Sequence, residues 1–291
     1  MDDVFEKFIR ERIYEKNITP KTERAHRQAW ISFTKACPIE KVEQLDKCKI
    51  SEWLESLHET PIRATSVNCY GRSLNAFFKW LLENGYIKEK LKVKKQITSS
   101  EVIKVLPEEN LKALLSYRPT GYWKKRIQAV VLTVLDTGIR ISEALTLKTS
   151  DLDLQNERLK VLGKGRKERI VPFSPELRRV LMRLLDSKET RLLPKDRYVF
   201  CTRRGRRLLY DNTRKDYDRL CVELGIPKVG GFHRLRHTFA TNFLRGGGNV
   251  MYLKDILGHS ELRTTQIYVH TDHETLKEAH QRSSIFEKYR K

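Results

Sequence analysis

Five short strings in the second half of this 291-residue chain gather side chains able to do chemistry: TGIRISE (Thr137 to Glu143), GKGRKE (Gly163 to Glu168), HRLRH (His233 to His237), LGHS (Leu257 to Ser260) and TTQIYVH (Thr264 to His270). Between them they hold arginines and a lysine that can grip an anion, histidines that titrate near neutrality, and a phenol that becomes a nucleophile once it loses its proton. Each string alone has a plainer reading. Arg140 follows a helix-ending glycine, where a surface ion pair with Glu143 is the ordinary role. Lys164 sits where a turn lysine would be solvated. His233 and Arg236 share one face of a helix at i and i+3, as do His233 and His237 at i and i+4. The two histidines could begin a zinc site, but no third ligand lies at metal-site spacing. Tyr268 alone would be a packing residue. No GxxxxGK[ST] loop is present, since Gly163 to Gly165 lacks the spacing, and RGGGN (Arg245 to Asn249) reads as a turn before a helix.

Composition points to the partner. Lys and Arg number 58 against 37 Asp and Glu, a formal net charge of +21. So large an excess repels itself unless a polyanion answers it, which favours nucleic acid over a membrane surface. No apolar stretch reaches the length that crosses a bilayer, and the start of the chain, with Asp2 and Asp3, lacks a signal-peptide pattern. A cytoplasmic, nucleoid-associated protein is expected. Cys37, Cys48, Cys69, Cys201 and Cys221 form no CxxC pair and are odd in number, which argues for reduced, mostly buried thiols.

The elements that must position the strings follow from periodicity. Val4, Phe5, Phe8, Ile9 and Ile13 recur at helical spacing, Thr19 and Pro20 open a second helix carrying Ala25, Ala29, Trp30 and Phe33, and a third spans Ser51 to Leu57. Val67, Tyr70, Leu74, Phe77, Phe78, Leu81 and Leu82 mark a fourth, closed by Gly85. From about Leu91 to Val105 the apolar period disappears and a basic linker is expected. Pro107 then opens a helix with Leu111, Leu114 and Leu115. A longer one from about Trp123 to Asp136 is stopped by Gly138. RLKVL and RIVPF, joined by GKGRKE, predict a β-hairpin with a positively charged turn. The chain from Pro175 onward reads as mainly helical. The fold class is therefore mainly α with a small β-sheet: a helical domain over 1–92, a linker over 93–105 and a mixed α+β domain over 106–291.

In order and separation, the five strings together resemble the catalytic domain of tyrosine recombinases, particularly the small Xer-like members and phage or transposon integrases. The resemblance covers about Pro107 to Lys291 by motif. The helical first domain is similar to the family's core-binding domain in size, position and helix count only. Residue by residue, Arg140 matches the family's first arginine, Lys164 the hairpin lysine, His233 and Arg236 the His-x-x-Arg pair, His259 the second histidine and Tyr268 the nucleophile. No member of the set is missing. The resemblance implies an active enzyme that makes a 3′-phosphotyrosyl link to DNA and leaves a free 5′-hydroxyl.

Such a reaction asks for these residue types. Transfer of a DNA phosphodiester passes through five-coordinate phosphorus with extra negative charge on its non-bridging oxygens. Arg140 and Arg236 are suited to clamp those oxygens, because the guanidinium fork grips two at once and stays charged. His259 would add a hydrogen bond. A phenol with an ordinary pKa of about 10 needs a base near neutral pH, and His233 is the candidate. The departing 5′-oxygen needs a proton, and Lys164 is the candidate donor. One ester replaces another, so no nucleotide or metal cofactor is expected. The implied partners are double-stranded DNA with specific recombination sites and further copies of the chain, a tetramer of two dimers on DNA; a need for accessory proteins is left open.

Two other readings fit parts of the pattern. A type IB topoisomerase shares the arginine, lysine, histidine and tyrosine logic but nicks and reseals as a monomer. A non-enzymatic basic DNA-binding protein would require the six residues to be coincidence. The small helical first domain favours the recombinase, as does the segment after Tyr268. There Leu276, Ala279, Ile285, Phe286 and Tyr289 fall near helical spacing and could dock on a neighbouring protomer or on their own domain. TRRGRR (Thr202 to Arg207) reads equally as a backbone contact or a solvated loop. Base-reading residues, target sequence and biological setting are not legible.

Overall fold

The computed structural model describes residues 1–97, 105–163, 167–227 and 230–269. The chain divides into two compact units, Met1–Glu101 and Val102–Lys291, each with its own apolar core.

In the first unit, helices α1 (Asp2–Lys16), α2 (Pro20–Ala36), α3 (Lys47–His58) and α4 (Ala64–Glu83) close over an aromatic core. Phe8, Phe33, Trp53 and Phe77 are fully buried, and Phe5 stacks on Trp30 with ring centroids 5.1 Å apart. The Thr19 side chain accepts from the Thr22 N–H at 3.3 Å and Pro20 fills the first helical position, as the sequence suggests. Helix α3 starts at Lys47, four residues before the expected Ser51, because Asp46 caps it by accepting from the Lys49 N–H at 2.8 Å.

The expected linker departs from expectation over its first residues. Leu91 and Val93 are buried in the first core. Asn75 of α4 pins Val93 through both backbone groups, at 2.7 and 3.0 Å, and Asn68 does the same to Gln96, at 2.8 and 3.0 Å. Gly71 makes room for them, since a Cβ there would come within 3.0 Å of the Val93 side chain. The basic string is thus partly an edge of the first unit, and residues 98–104 lie outside the described ones.

The second unit is built on α6 (Gly121–Thr137), whose Ile127, Val130, Val131 and Val134 are fully buried. Helix α5 (Glu108–Ser116) precedes it, and the one-turn α7 (Ile141–Ala144) follows. Strands β1 (Leu152–Asp153), β2 (Arg158–Leu162) and β3 (Glu168–Pro172) form an antiparallel sheet in that order, with Leu159 opposite Val171 and Val161 opposite Arg169. Leu159, Val161 and Val171 face the core while Lys160, Leu162 and Ile170 are exposed, the alternation that marked the hairpin in the sequence. Beyond it come α8 (Pro175–Leu185), capped by Ser174, α9 (Lys188–Arg191), α10 (Tyr210–Glu223), α11 (Gly231–Arg245), α12 (Val250–Leu257) and α13 (Arg263–Gln266). Helices α8, α10 and α11 pack on α6. All five cysteines are free thiols and most are buried, as expected: Cys37, Cys201 and Cys221 lie inside, while Cys48 and Cys69 are exposed. No described helix is long and apolar enough to cross a membrane.

Candidate active site

The site begins at a turn that only glycine can make. Helix α6 stops at Gly138, which takes φ +65°, and a Cβ there would lie 2.2 Å from the Phe239 ring and 2.9 Å from Leu257. The turn delivers Arg140 to the start of α7. There the Glu143 carboxylate accepts from the Arg140 backbone N–H at 2.9 Å and from its guanidinium at 3.1 Å. This pair is not the surface ion pair that sequence alone suggests. Glu143 is 7% exposed and is also gripped in bidentate fashion by Arg169 of β3, at 2.8 and 3.2 Å. Burial pushes the Glu143 carboxyl up, but the two arginines and the backbone N–H outweigh it and hold it below the usual carboxylate value. The Arg140 side chain keeps 36% of its surface exposed, so its guanidinium reaches solvent.

Arg169 also donates to the Ile256 carbonyl at 2.8 Å, tying the hairpin to the end of α12. Gly258 closes that helix at φ +63°, and a Cβ there would meet the Arg169 guanidinium at 2.9 Å. The tight approach places His259 beside Arg236, and a carbonyl of the same turn becomes a focus. The Leu257 oxygen accepts from Arg236 at 2.8 Å and from Arg140 at 3.4 Å. Arg236 is 5% exposed and donates its other nitrogen to the Gly138 carbonyl at 2.8 Å. Burial, followed by the charge of Arg140, pulls its pKa down to about 10, so it remains cationic at neutral pH.

His259 bridges Arg236 and Thr265, with Nε2 2.9 Å from the Arg236 guanidinium and Nδ1 2.9 Å from the Thr265 hydroxyl. Burial and then Arg236, Arg140 and Arg169 lower it to about 4. The ring is therefore neutral at pH 7. Nε2 accepts from Arg236, and Nδ1 carries the hydrogen donated to Thr265.

Tyr268 follows α13 and is 4% exposed, packed with Ala240, Leu253 and Leu257. Its hydroxyl lies 2.8 Å from Nδ1 of His237, the rings 5.5 Å apart at 48°. Burial raises the phenol above its ordinary value against the lowering effect of Arg236 and Arg140. His237 is lowered by burial, then by His233 and Arg236, so the imidazole is neutral at pH 7, and the phenol donates to Nδ1 in the tautomer that carries its hydrogen on Nε2. His233 sits one turn earlier on α11 with its side chain exposed.

The structure thus brings Arg140, Arg236, His259 and Tyr268 to one place, with His233 on the helix that carries Arg236. Lys164 lies outside the described residues; of the residues that flank the gap, the Gly163 N–H donates to the Lys167 carbonyl at 2.8 Å. Sequence reasoning missed Glu143 as a buried carboxylate, Arg169, Thr265 and the contact of His237 with Tyr268. The i, i+3 spacing of Arg140 and Glu143 and the i, i+4 spacing of His233 and His237 were the available signals, and neither reveals burial or a partner 31 residues away. Arg203, Arg204, Arg206 and Arg207 are all exposed on a loop that turns at Gly205. Among the described residues no three of His, Cys, Asp and Glu gather into a metal-ligating group.

An arrangement of two convergent guanidinium groups, a histidine and a buried phenol is suited to holding a phosphate against an oxygen nucleophile. Comparison with known proteins identifies the family. The Phage integrase family model matches residues 104–275, and the Phage integrase, N-terminal SAM-like domain matches residues 5–85. Tyrosine recombinase XerC of Oceanobacillus iheyensis is 30% identical over 92% of each chain. Among solved structures, XerH site-specific recombinase bound to difH substrate superposes with a TM-score of 0.73 at 23% identity, covering 95% of this chain and 82% of that one. The Tn1549 transposon integrase in complex with transposon right end DNA gives 0.77 at 19%, covering 94% and 97%.

Proposed function

This chain belongs to the phage integrase family of tyrosine recombinases and is a site-specific recombinase, and we propose that it cuts and rejoins DNA by joining Tyr268 covalently to a DNA 3′-phosphate. The observation that carries this reading is the meeting of Arg140 and Arg236 at the Leu257 carbonyl, with Tyr268 in the same small apolar cluster as Leu257. In the proposed step the Tyr268 oxygen attacks phosphorus and the bond to the 5′-oxygen breaks. Arg140 and Arg236 carry the added charge on the non-bridging oxygens, and Lys164 protonates the departing 5′-oxygen. The phenol proton goes to a histidine of α11, for which the family motif nominates His233. A phosphate between the arginines would also raise the pKa of His259, letting Nε2 carry a hydrogen to it instead of accepting from Arg236.

Double-stranded DNA with specific sites is the proposed partner. The excess of 21 positive charges supports it, as do the DNA complexes formed by XerH and the Tn1549 integrase. Assembly as a tetramer of two dimers on DNA, through the segment after Tyr268, and association with the nucleoid belong to the same proposal. Residues 270–291, which include that segment, lie outside the described ones. The test is Tyr268→Phe, which removes one oxygen. DNA binding should stay within a few-fold of wild type while covalent adduct on a nicked duplex disappears; adduct at wild-type yield would refute the assignment.

A further inference from the structure

We infer that His237 is a catalytic residue whose Nδ1 takes the phenol proton as Tyr268 attacks. The inference rests on the recombinase reading and replaces the motif-based base His233 with the ring that touches the nucleophile. The Tyr268 hydroxyl is 2.8 Å from Nδ1, within the reach required of a general base, whereas His233 is exposed one turn away. Tyr268 is almost wholly buried, so water is poorly placed to take the proton. The acceptor is also held rigidly. His237 is the next residue after Arg236, whose guanidinium is fixed by the Gly138 and Leu257 carbonyls, and Tyr268 is anchored by its N–H donating to the Thr265 carbonyl at 3.1 Å.

The groups around His237 explain how a substrate could switch it on. His233 and Arg236 lie on its own helix, His259 on the turn after α12, and Tyr268 beyond α13, with Arg140 acting on the same phenol. Burial, then His233 and Arg236, hold the imidazole below its ordinary value, and with its hydrogen on Nε2 the ring is an acceptor at Nδ1 but a weak base. A DNA phosphate placed between Arg140 and Arg236 offsets that charge and strengthens the base only when substrate is present. The step balances. The Tyr268 oxygen forms its bond to phosphorus as its proton passes to Nδ1, the bond from phosphorus to the 5′-oxygen breaks, and that oxygen takes a proton from the general acid. In the reverse step imidazolium returns the proton to the phenol.

The experiment uses the full chain and a nicked duplex whose site is selected from random DNA by binding to the wild-type protein, with single-turnover adduct formation followed against pH. His237→Asn keeps a hydrogen-bond acceptor near the hydroxyl but cannot take up a proton. It should bind DNA within a few-fold of wild type and cut roughly 10²- to 10⁴-fold more slowly near neutral pH. Its rate should climb about tenfold per pH unit where the wild-type rate is level, because hydroxide then does the work of the base. Wild-type rates in His237→Asn would show that the ring only positions the phenol. A larger loss and the same pH slope in His233→Ala, with His237→Asn near wild type, would return the role to His233. Should His237→Asn fold poorly, nitrogen NMR of wild type decides. Nδ1 of His237 should be unprotonated in the free protein and protonated in the trapped adduct; a hydrogen on Nδ1 in the free protein overturns the inference. If wild type forms no adduct on any selected duplex, the recombinase reading falls together with this one.

Discussion

At the scale of single residues the proposed chemistry assigns two kinds of cation, and they respond differently to a change in the leaving group. If Lys164 protonates the departing 5′-oxygen, Lys164→Ala should slow cleavage by about 10²- to 10⁴-fold. A sulfur in the 5′-bridging position leaves as a thiolate, whose conjugate acid is far stronger than an alcohol, so the alanine variant should cut that substrate almost as fast as wild type. Arg236→Ala should show no such rescue, because the non-bridging charge that its guanidinium meets is unchanged by the sulfur. Equal defects of Lys164→Ala on both substrates would mean that the lysine clamps rather than protonates. Tyr268, the arginines and His259 could be nominated from the order of the motifs and the family that order resembles. Their environment could not: that Arg236 is buried on two carbonyls, or that Tyr268 meets His237, depends on contacts with residues 21 to 98 positions away.

Between elements, Arg169 is the tie that sequence gave no reason to single out, since in RIVPF it reads as one polar position of an alternating strand. Its bidentate hold on Glu143 and its bond to the Ile256 carbonyl link β3, α7 and the end of α12, and so the hairpin, Arg140 and His259. Its side chain is 14% exposed and Glu143 is more buried still. Removing one partner of such a pair leaves the other poorly compensated. Arg169→Ala should therefore destabilise the second unit by about 3 kcal/mol, near the low end for a buried pair because Arg140 still faces Glu143. Urea unfolding of the full chain measures it, and a transition unmoved from wild type would show that the tie is dispensable. The hairpin and the long helices were legible because their apolar periods are strong. Strand β1 was not, as two residues carry no alternation. Nor was the docking of Leu91 and Val93, whose lysine-interrupted pattern hides two asparagine clamps on α4.

Across the whole molecule, one buried and two half-buried histidines make stability depend on pH. His26 in the first unit and His237 and His259 in the second are all held below the ordinary imidazole value, burial being the largest cause. Above about pH 6.5 the folded and unfolded forms are both neutral and this contribution is fully present. As pH falls the unfolded chain takes up protons first, so stability is lost progressively, down to about 4 for His259. Denaturant midpoints should fall between about pH 7 and pH 5.5, and His26→Gln should flatten that dependence in the first unit. Midpoints constant across that range would contradict the burial of these rings. Covalent capture of DNA by Tyr268 is the central proposal, with which the large positive charge and the contact of Tyr268 with His237 are consistent. That event leaves a chemical mark. After trapping on a nicked duplex carrying the selected site, nuclease and trypsin digestion should yield the peptide spanning 264–277 with a 3′-linked nucleotide on Tyr268, as read by fragment mass spectrometry; a nucleotide on any other residue, or none while the nick is resealed, would contradict it.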